Sequence, residues 1–139
     1  MSLETIRTDI VTAIEAAKAG FNLGYTLIIE YENRIVVDTK TQTKPFLTVE
    51  IIVTDGQQLE ISNNPRHRIL GQLHLCAVVP DGSGSADANK LLDWFVPKLH
   101  GKTFNTVRTH FAVPAKPTPH LGWQYYGVAI PFWSDQPGQ

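Results

Sequence analysis

The sequence has little of several features that would assign a protein to a chemical class. Its only cysteine, Cys76, cannot form a disulfide within the chain, which is typical of proteins from a reducing compartment. Twelve Lys and Arg against 13 Asp and Glu leave a formal net charge of -1. No segment collects basic residues, so specific nucleic-acid binding is not expected. No apolar run reaches the ~20 residues of a membrane helix, and the start, Met-Ser-Leu-Glu, lacks a signal-peptide pattern. We therefore expect that the protein does not associate with membranes and that it assembles in the cytosol.

Two apolar stripes at helical spacing predict the helices of a single domain spanning residues 1–139. Hydrophobic residues make up 42% of the chain and charged residues 18%, as in ordinary globular proteins. The first stripe predicts a helix from about Leu3 to Lys18 and comprises Ile6, Ile10, Ile14 and Ala17. The second predicts a helix over about 86–99 and comprises Ala88, Leu91, Leu92, Phe95 and Leu99. Pro97 is expected to kink or end this second helix near Phe95.

Alternating apolar residues and turn signals predict the strands. The longest candidate runs from Arg68 to Val79, where Gly71 indicates a bulge or a close backbone approach and one face carries Ile69, Leu73, Leu75, Ala77 and Val79. Asp55-Gly56 predicts a turn after a strand that begins at Phe46, with 58–61 pairing back. Further candidates are 26–31, 106–113 and 123–132, the last ending at Pro131.

This order predicts an α+β fold, in which a mostly antiparallel or mixed β-sheet carries the two helices on one face. Residues 33–44 and 115–122 are predicted to be flexible loops, and a proline-rich loop is expected over 114–119.

The turn Pro80-Asp81-Gly82-Ser83-Gly84-Ser85 is the first candidate for chemistry. Backbone amides at a helix start can bind phosphate, but a Walker loop needs a Lys followed by Ser or Thr, and here Ala86-Asp87 follow. Asp81 and Asp87 would also repel an anion. The alternative is a structural corner in which Ser83 or Ser85 caps the helix. We favour the structural interpretation.

His74 and Cys76 share one face of a strand and are the second candidate. They could belong to a metal site or a nucleophile pair, but no Cys-x-x-Cys, His-x-x-x-His or Gly-x-Ser-x-Gly pattern accompanies them. The other histidines, His67, His100, His110 and His120, are scattered. We favour the structural interpretation, a small buried thiol beside a partly exposed imidazole.

Carboxylates and aromatic residues give no stronger signal. The pairs Glu30/Glu32 and Asp87/Asp93 lack any special context. Aromatic residues crowd the last strand, and alternation places Trp123 and Tyr125 on one face and Tyr126 on the other. Without a basic groove they favour core packing or a subunit interface over base stacking. We therefore assign no catalytic, cofactor-binding or metal-binding residue, and we do not expect an enzyme.

Several sequence pieces, taken in order, resemble one protein family. They are Tyr31-Glu32-Asn33 after a strand, Pro45-Phe46-Leu47, Leu70-Gly71, the Pro80–Gly84 turn before a helix containing Trp94-Phe95, and a last strand from Trp123 through Val128, Ile130, Pro131 and Phe132. Over about 26–135 the chain resembles the tail terminator, or tail completion, proteins of long-tailed bacteriophages, the lambda-type minor tail protein U group.

The resemblance implies a structural virion protein without a cofactor. Such a subunit is monomeric or weakly associated when free and forms a hexameric ring on the tail tube. The ring ends tube polymerisation and presents a surface to the head connector or neck protein. DNA would pass through its lumen without specific binding. The expected location is the virion tail, after assembly in the cytoplasm of the bacterial host.

Two alternatives remain at this point. Another head-tail connector or neck protein would share the α+β plan. A small ligand-binding or hydrolytic domain would instead use the Gly-Ser turn with His74 or Cys76.

Overall fold

A computed structural model describes residues 3–31, 44–58, 66–80, 82, 85–115, 117–120 and 122–136 of the chain. Two helices lie on one face of a curled mixed sheet of eight strands, which confirms the predicted α+β fold. The elements are α1 (Leu3–Lys18), β1 (Ile29–Tyr31), β2 (Phe46–Gln58), β3 (His67–Pro80), α2 (Ala86–Leu99), β4 (Thr103–Phe104), β5 (Val107–Thr109), β6 (Val113–Pro114), β7 (Thr118–His120) and β8 (Trp123–Gln136). In the part of the chain that the structure describes, neither helix has the length and apolarity to cross a membrane.

The sheet is built around three long antiparallel strands. Its order is β1-β2-β3-β8-β5-β4, and β6 and β7 also pair with β8. Only β1 runs parallel to its neighbour among the described strand pairs. The first predicted strand, 26–31, is shorter than expected, because pairing with β2 as a strand begins at Ile29. The centre of the sheet is therefore β3, flanked by β2 and β8.

The main core lies between the helices and one face of the sheet. The predicted α1 stripe is confirmed, since Ile6, Ile10, Ile14 and Ala17 are the buried residues of that helix. Alternate residues of β3 face the same core, as predicted. The helices are also joined directly, because Trp94 Nε1 donates a hydrogen bond of 2.9 Å to Ala17 O, and the Phe21 ring meets the Trp94 ring edge-on.

Helix α2 spans the predicted range 86–99 and does not end near Phe95, so the expectation that Pro97 could end it there is wrong. Pro97 lies inside the helix, which continues to Leu99. A proline removes one backbone donor, but here the loss falls in the final turn. The bonds from Lys98 Nζ to Trp94 O and from His100 N to Val96 O, each 2.9 Å, satisfy carbonyl groups of that turn.

The predicted turn at Asp55-Gly56 is also wrong, because β2 continues through it. Val53 pairs with Gly71, and Asp55 pairs with the adjacent residue Leu70, so Thr54 is an extra residue in β2. This bulge absorbs the local turn preference, and the long ladder with β3 resumes beyond it. Within the predicted return strand, residues 59–61 lie outside the described residues, as do 33–43 of the first predicted loop.

The last strand passes through Pro131 instead of ending there. In an antiparallel ladder the N–H and C=O of one residue point to the same side. Pro131 O accepts a hydrogen bond of 2.8 Å from His110 N, which lies between β5 and β6. The backbone nitrogen of Pro131, which has no hydrogen to donate, therefore faces the gap between β5 and β6. The predicted strand 106–113 is divided at this gap.

Part of the predicted loop 115–122 is a strand. Thr118–His120 form β7, which pairs antiparallel with the first residues of β8. Pro119 sits within β7, a position that proline tolerates because β7 borders the sheet and its far side needs no donor.

Candidate interaction surfaces

The face of the sheet away from the helices brings His74 and Cys76 together with β2. Strand pairing sets Glu50 opposite His74 and Thr48 opposite Cys76. With neighbouring residues of β8, these side chains line a hollow of about 290 Å³. His74 Nε2 lies 2.9 Å from Gln72 Oε1. The prediction that His74 and Cys76 share one face is confirmed, and this face of the sheet is concave at the hollow.

The ionisation of Cys76 does not suit a nucleophile. Burial raises the pKa of its thiol to about 11, and a hydrogen bond with Thr48 opposes only part of that shift. The reactive form of cysteine is the thiolate, which is scarce at neutral pH when the pKa is this high. Within the described residues, no group of three or more His, Cys, Asp or Glu side chains is placed to hold a metal ion.

The remaining histidines do not gather into a site. His100 stacks edge-on against Phe111 with ring centroids 5.1 Å apart, and His110 lies 4.5 Å from the Trp133 ring. His67 begins β3, and only the backbone of His120 is described. Of the carboxylate pairs, Asp87 and Asp93 are exposed on α2, and Glu32 lies outside the described residues.

The Gly-Ser turn is only partly described, and its predicted side-chain cap is wrong for Ser85. Ser85 occupies the N-cap position of α2, but its side chain makes no capping hydrogen bond. The reason is its backbone, which is helical (φ -94°, ψ -7°) where a capping residue is usually extended. Gly82 adopts φ 82°, which favours glycine. Asp81, Ser83 and Gly84 lie outside the described residues.

Aromatic residues of β8 divide between two clusters, as alternation predicts. Trp123 and Tyr125 lie on the helix-free face, where Phe46, Val78 and Trp123 form a small second core. The Phe46 and Trp123 rings meet edge-on at 5.3 Å. Tyr126 packs against the main core on the other face. These aromatic rings contribute packing at one end of the sheet.

A groove of about 500 Å³ lies beside α1, and the charged groups that line it already have partners. It is lined by Asp9, Thr12, Ala13, Ala16, Ala17, Lys98, Phe104 and Asn105. Asp9 accepts hydrogen bonds from Asn105 Nδ2 and from the backbone and hydroxyl of Thr106. Lys98 donates to Trp94 O and lies 4.0 Å from the centre of the Trp94 ring. The groove is therefore mostly an apolar surface with few groups left to orient a ligand.

Four large apolar side chains of the described residues are exposed, and they fall into two pairs. Leu3 and Val53, 52% and 45% exposed, line a groove of about 340 Å³ with Thr54, Asp55, Gly56 and Ile69. Phe111 and Val113, 74% and 57% exposed, follow β5 on the other side of the sheet. Sequence alternation missed both pairs. It gave no sign that Leu3 and Val53 are exposed, and it placed Phe111 in a continuous strand over 106–113.

The two ends of the strand order, which carry these pairs, also differ in charge. Strands β1 and β2 contain Glu30, Glu50 and Asp55 and no Lys or Arg. Residues 101–115, which include β4 to β6, contain Lys102 and Arg108 and no Asp or Glu. Among the described strands, β1 and β2 are therefore acidic and the segment 101–115 is basic, and each lies beside an exposed apolar pair.

Comparisons with known proteins identify the fold but no family. No protein-family model matches the sequence, and no curated protein matches it. Nineteen chains of solved structures match. One of them superposes with a TM-score of 0.70 at 16% sequence identity, over 98% of this chain and 96% of that chain. The chain therefore shares its fold with a solved protein over nearly the full length of both.

Proposed function

We propose that this chain is a tail terminator, a structural virion protein of a long-tailed bacteriophage. It closes the end of the tail tube, stops polymerisation of the tube and provides the surface to which the head connector or neck protein joins. The observation that carries this proposal is the ordered set of sequence pieces between 26 and 135, and the described part of the chain has the α+β fold that the resemblance implies.

The exposed apolar pairs support assembly into a ring. A ring made of identical subunits needs two different patches on each copy, because one patch of a subunit meets the other patch of its neighbour. Leu3 and Val53 supply one patch, and Phe111 and Val113 supply the other. In the proposed function the chain is a monomer when free and a hexameric ring on the tail tube. Its location is the virion tail, after assembly in the host cytoplasm.

The chemistry of the described residues supports a steric role. The Cys76 thiol is held protonated near neutral pH, and the carboxylate of Asp9 is occupied by neighbouring donors. The near-neutral net charge agrees with a ring through which DNA passes without being gripped. Contact with the tail tube protein and the connector would then rest on shape and on apolar area.

Purified tail tubes provide the direct test. The protein is added to polymerising tube subunits, and the products are examined by electron microscopy and size exclusion. We expect rings at one end of each tube and shorter tubes than without the protein. A chain that remains monomeric and never joins a tube, at any ionic strength, contradicts the proposal. Binding to an isolated head connector without binding to tubes would instead identify a neck protein.

The groove beside α1 favours one second candidate, a ligand-binding domain. Its volume of about 500 Å³ lies within the usual range of small-molecule sites. Ala16→Leu would fill this groove from an exposed position on α1. For a tail terminator we expect Ala16→Leu to leave tube capping unchanged. Loss of a ligand-induced rise in melting temperature in this variant would support the ligand-binding alternative.

A further inference from the structure

We propose that neighbouring copies of this chain join edge to edge, with Phe111 of one copy seated in the groove beside Leu3 and Val53 of the next. The contact rests on the proposed function in one respect, because it would serve as the subunit interface of the ring. The contact itself requires nothing but a second copy of the chain.

Phe111 is a fixed projection. The residue is 74% exposed, yet its ring meets the His100 ring edge-on at 5.1 Å and lies beside Gly101. The backbone on both sides is also held, since His110 N donates to Pro131 O and Ala112 N donates to His100 Nδ1 at 3.2 Å. A projecting side chain that is already ordered loses little conformational entropy on binding, which favours it as an interface anchor.

The groove on the opposite side of the molecule offers an apolar receptor for such a ring. Leu3 of α1 and Val53 of β2 form its exposed walls, and the buried side chain of Ile69 lies at its base. The bulge at Thr54 shapes this part of β2. The volume of about 340 Å³ is sufficient to receive an aromatic side chain. Burial of a phenylalanine ring removes roughly 150–250 Å² of surface from water, so one inserted ring contributes substantially to a contact.

The positions of opposite charges along the strands fit the same contact between copies. Strand pairing connects Asp55 to Leu70, Leu70 to Trp133 and Trp133 to Arg108, so the acidic and basic residues lie on one row of the sheet. Phe111 follows Arg108 closely, as Val53 precedes Asp55. Arg108 lies one strand in from the edge, behind Thr103 of β4. A neighbour with the same strand orientation therefore brings Arg108 to the level of Asp55 while Phe111 faces the groove. Opposite charges on the two rims favour this register.

The symmetry of the contact follows from its two unlike halves. Phe111 and the groove lie on opposite sides of the sheet, so two copies cannot satisfy both contacts with each other. Each copy retains one free projection and one free groove, and growth continues until a ring closes.

Cysteine cross-linking traps this contact even when it is weak in solution. Cys76 is first replaced by Ala, so that the chain has no native thiol. Single variants Phe111→Cys and Val53→Cys are then mixed and oxidised at increasing concentration. We expect a disulfide-linked dimer containing one copy of each, and the double variant Phe111→Cys/Val53→Cys should give a ladder that ends in a closed ring. Lys90→Cys, exposed on α2, is the matched control and should not cross-link to Val53→Cys.

Two results would overturn the contact. One is cross-linking of Phe111→Cys chiefly to itself, which would indicate a two-fold symmetric interface. The other is a Lys90→Cys yield equal to that of Phe111→Cys, which would indicate random collision. Charge reversal adds a second measurement: Asp55→Arg or Arg108→Asp alone should lower the yield several-fold, and the double variant should restore it.

Different results would contradict the proposed contact and the proposed function. If Phe111→Asp keeps its melting temperature but still forms rings on tail tubes, the contact is wrong and the function stands. If the cross-linked ladder forms but the wild-type chain never joins a tube, the contact stands and the function is wrong.

Discussion

The two faces of the central strand β3 carry different kinds of side chain. Towards the helices, Ile69, Leu73 and Leu75 are at most 1% exposed and join one continuous aliphatic core. On the opposite face, His74 and Cys76 are only partly buried and line a small hollow with residues of β2 and β8. No described helix covers this second face. The comparison indicates that stability comes mainly from one face, and that the other can vary more freely.

The largest expected effect comes from adding one methyl group to the covered face. A Cβ on Gly71 would lie 2.4 Å from Ile52 O and 2.6 Å from Phe132 Cζ. Since a backbone oxygen cannot move aside cheaply, we expect Gly71→Ala to lower the free energy of unfolding by about 3 kcal/mol or more. Urea denaturation followed by tryptophan fluorescence measures this loss.

Gly127→Ala is the matched control on the helix-free face. There a Cβ would find Leu75 O at 3.7 Å and Cys76 Sγ at 3.8 Å, which are ordinary contacts. We expect a change within about 1 kcal/mol, because the reduced freedom of the unfolded chain offsets small losses. Equal destabilisation by the two variants would contradict the proposed difference between the faces.

Truncation of neighbouring residues compares the faces along one strand. Leu75 is fully buried in the main core, so Leu75→Ala should lower the free energy of unfolding by about 2–5 kcal/mol. Cys76 lies beside the hollow, so Cys76→Ala should cost about 1 kcal/mol or less. Thermal denaturation of the two variants gives the ranking, and a larger loss for Cys76→Ala would reverse it.

The ionisation of Cys76 tests how far the helix-free face excludes water. Its thiol pKa is raised from 9.0 to about 11, chiefly by burial. Because the folded pKa lies above the unfolded value, this contribution to stability is present below pH 9.0 and falls as pH rises towards 11. Alkylation rates measured against pH should show a midpoint near 11 in the folded chain. A midpoint near 9.0 would mean that water reaches the thiol freely.

The smallest expected effect concerns an ion pair on the same face. Arg68 Nε and Asp135 Oδ1 are 2.8 Å apart, and hydrogen bonding to Arg68 lowers the pKa of Asp135 below 3.8. Since the folded pKa is the lower one, the pair stabilises the fold above pH 3.8 and loses this contribution as pH falls through the folded value. Arg68→Leu should therefore be slightly less stable than wild type at neutral pH. The two proteins should converge in strongly acidic urea titrations, and a difference that persists there would exclude the ion pair as its cause.

Sequence periodicity predicted the parts of the fold that depend on local pattern. It placed α1 from Leu3 to Lys18 with its four buried residues, and it assigned the correct core face to β3. It failed at Asp55-Gly56, Pro97 and Pro131, where local turn and breaker preferences were overridden. In each case a neighbouring element compensates: the β3 ladder holds β2, the final helical turn accommodates Pro97, and the gap after β5 accommodates Pro131.

Neither interaction surface was predictable from the sequence. Phe111 and Phe132 have the same side chain and both follow apolar patterns, yet Phe111 is 74% exposed and Phe132 is 2% exposed. The difference depends on the division of one predicted strand into β5 and β6, which leaves Phe111 between them. The sequence did identify the pair His74 and Cys76 on one face, but the raised pKa of the thiol depends on strands that are distant in the chain.

By itself the sequence determined the α+β class, the two helices and the buried face of β3, because the repeat of 3.6 residues in helices and of two in strands is local. Only the tertiary structure decided which apolar side chains remain in water and which charges share a row of the sheet. Those properties depend on which strands become neighbours, and contacts between distant residues leave no periodic signal in the chain.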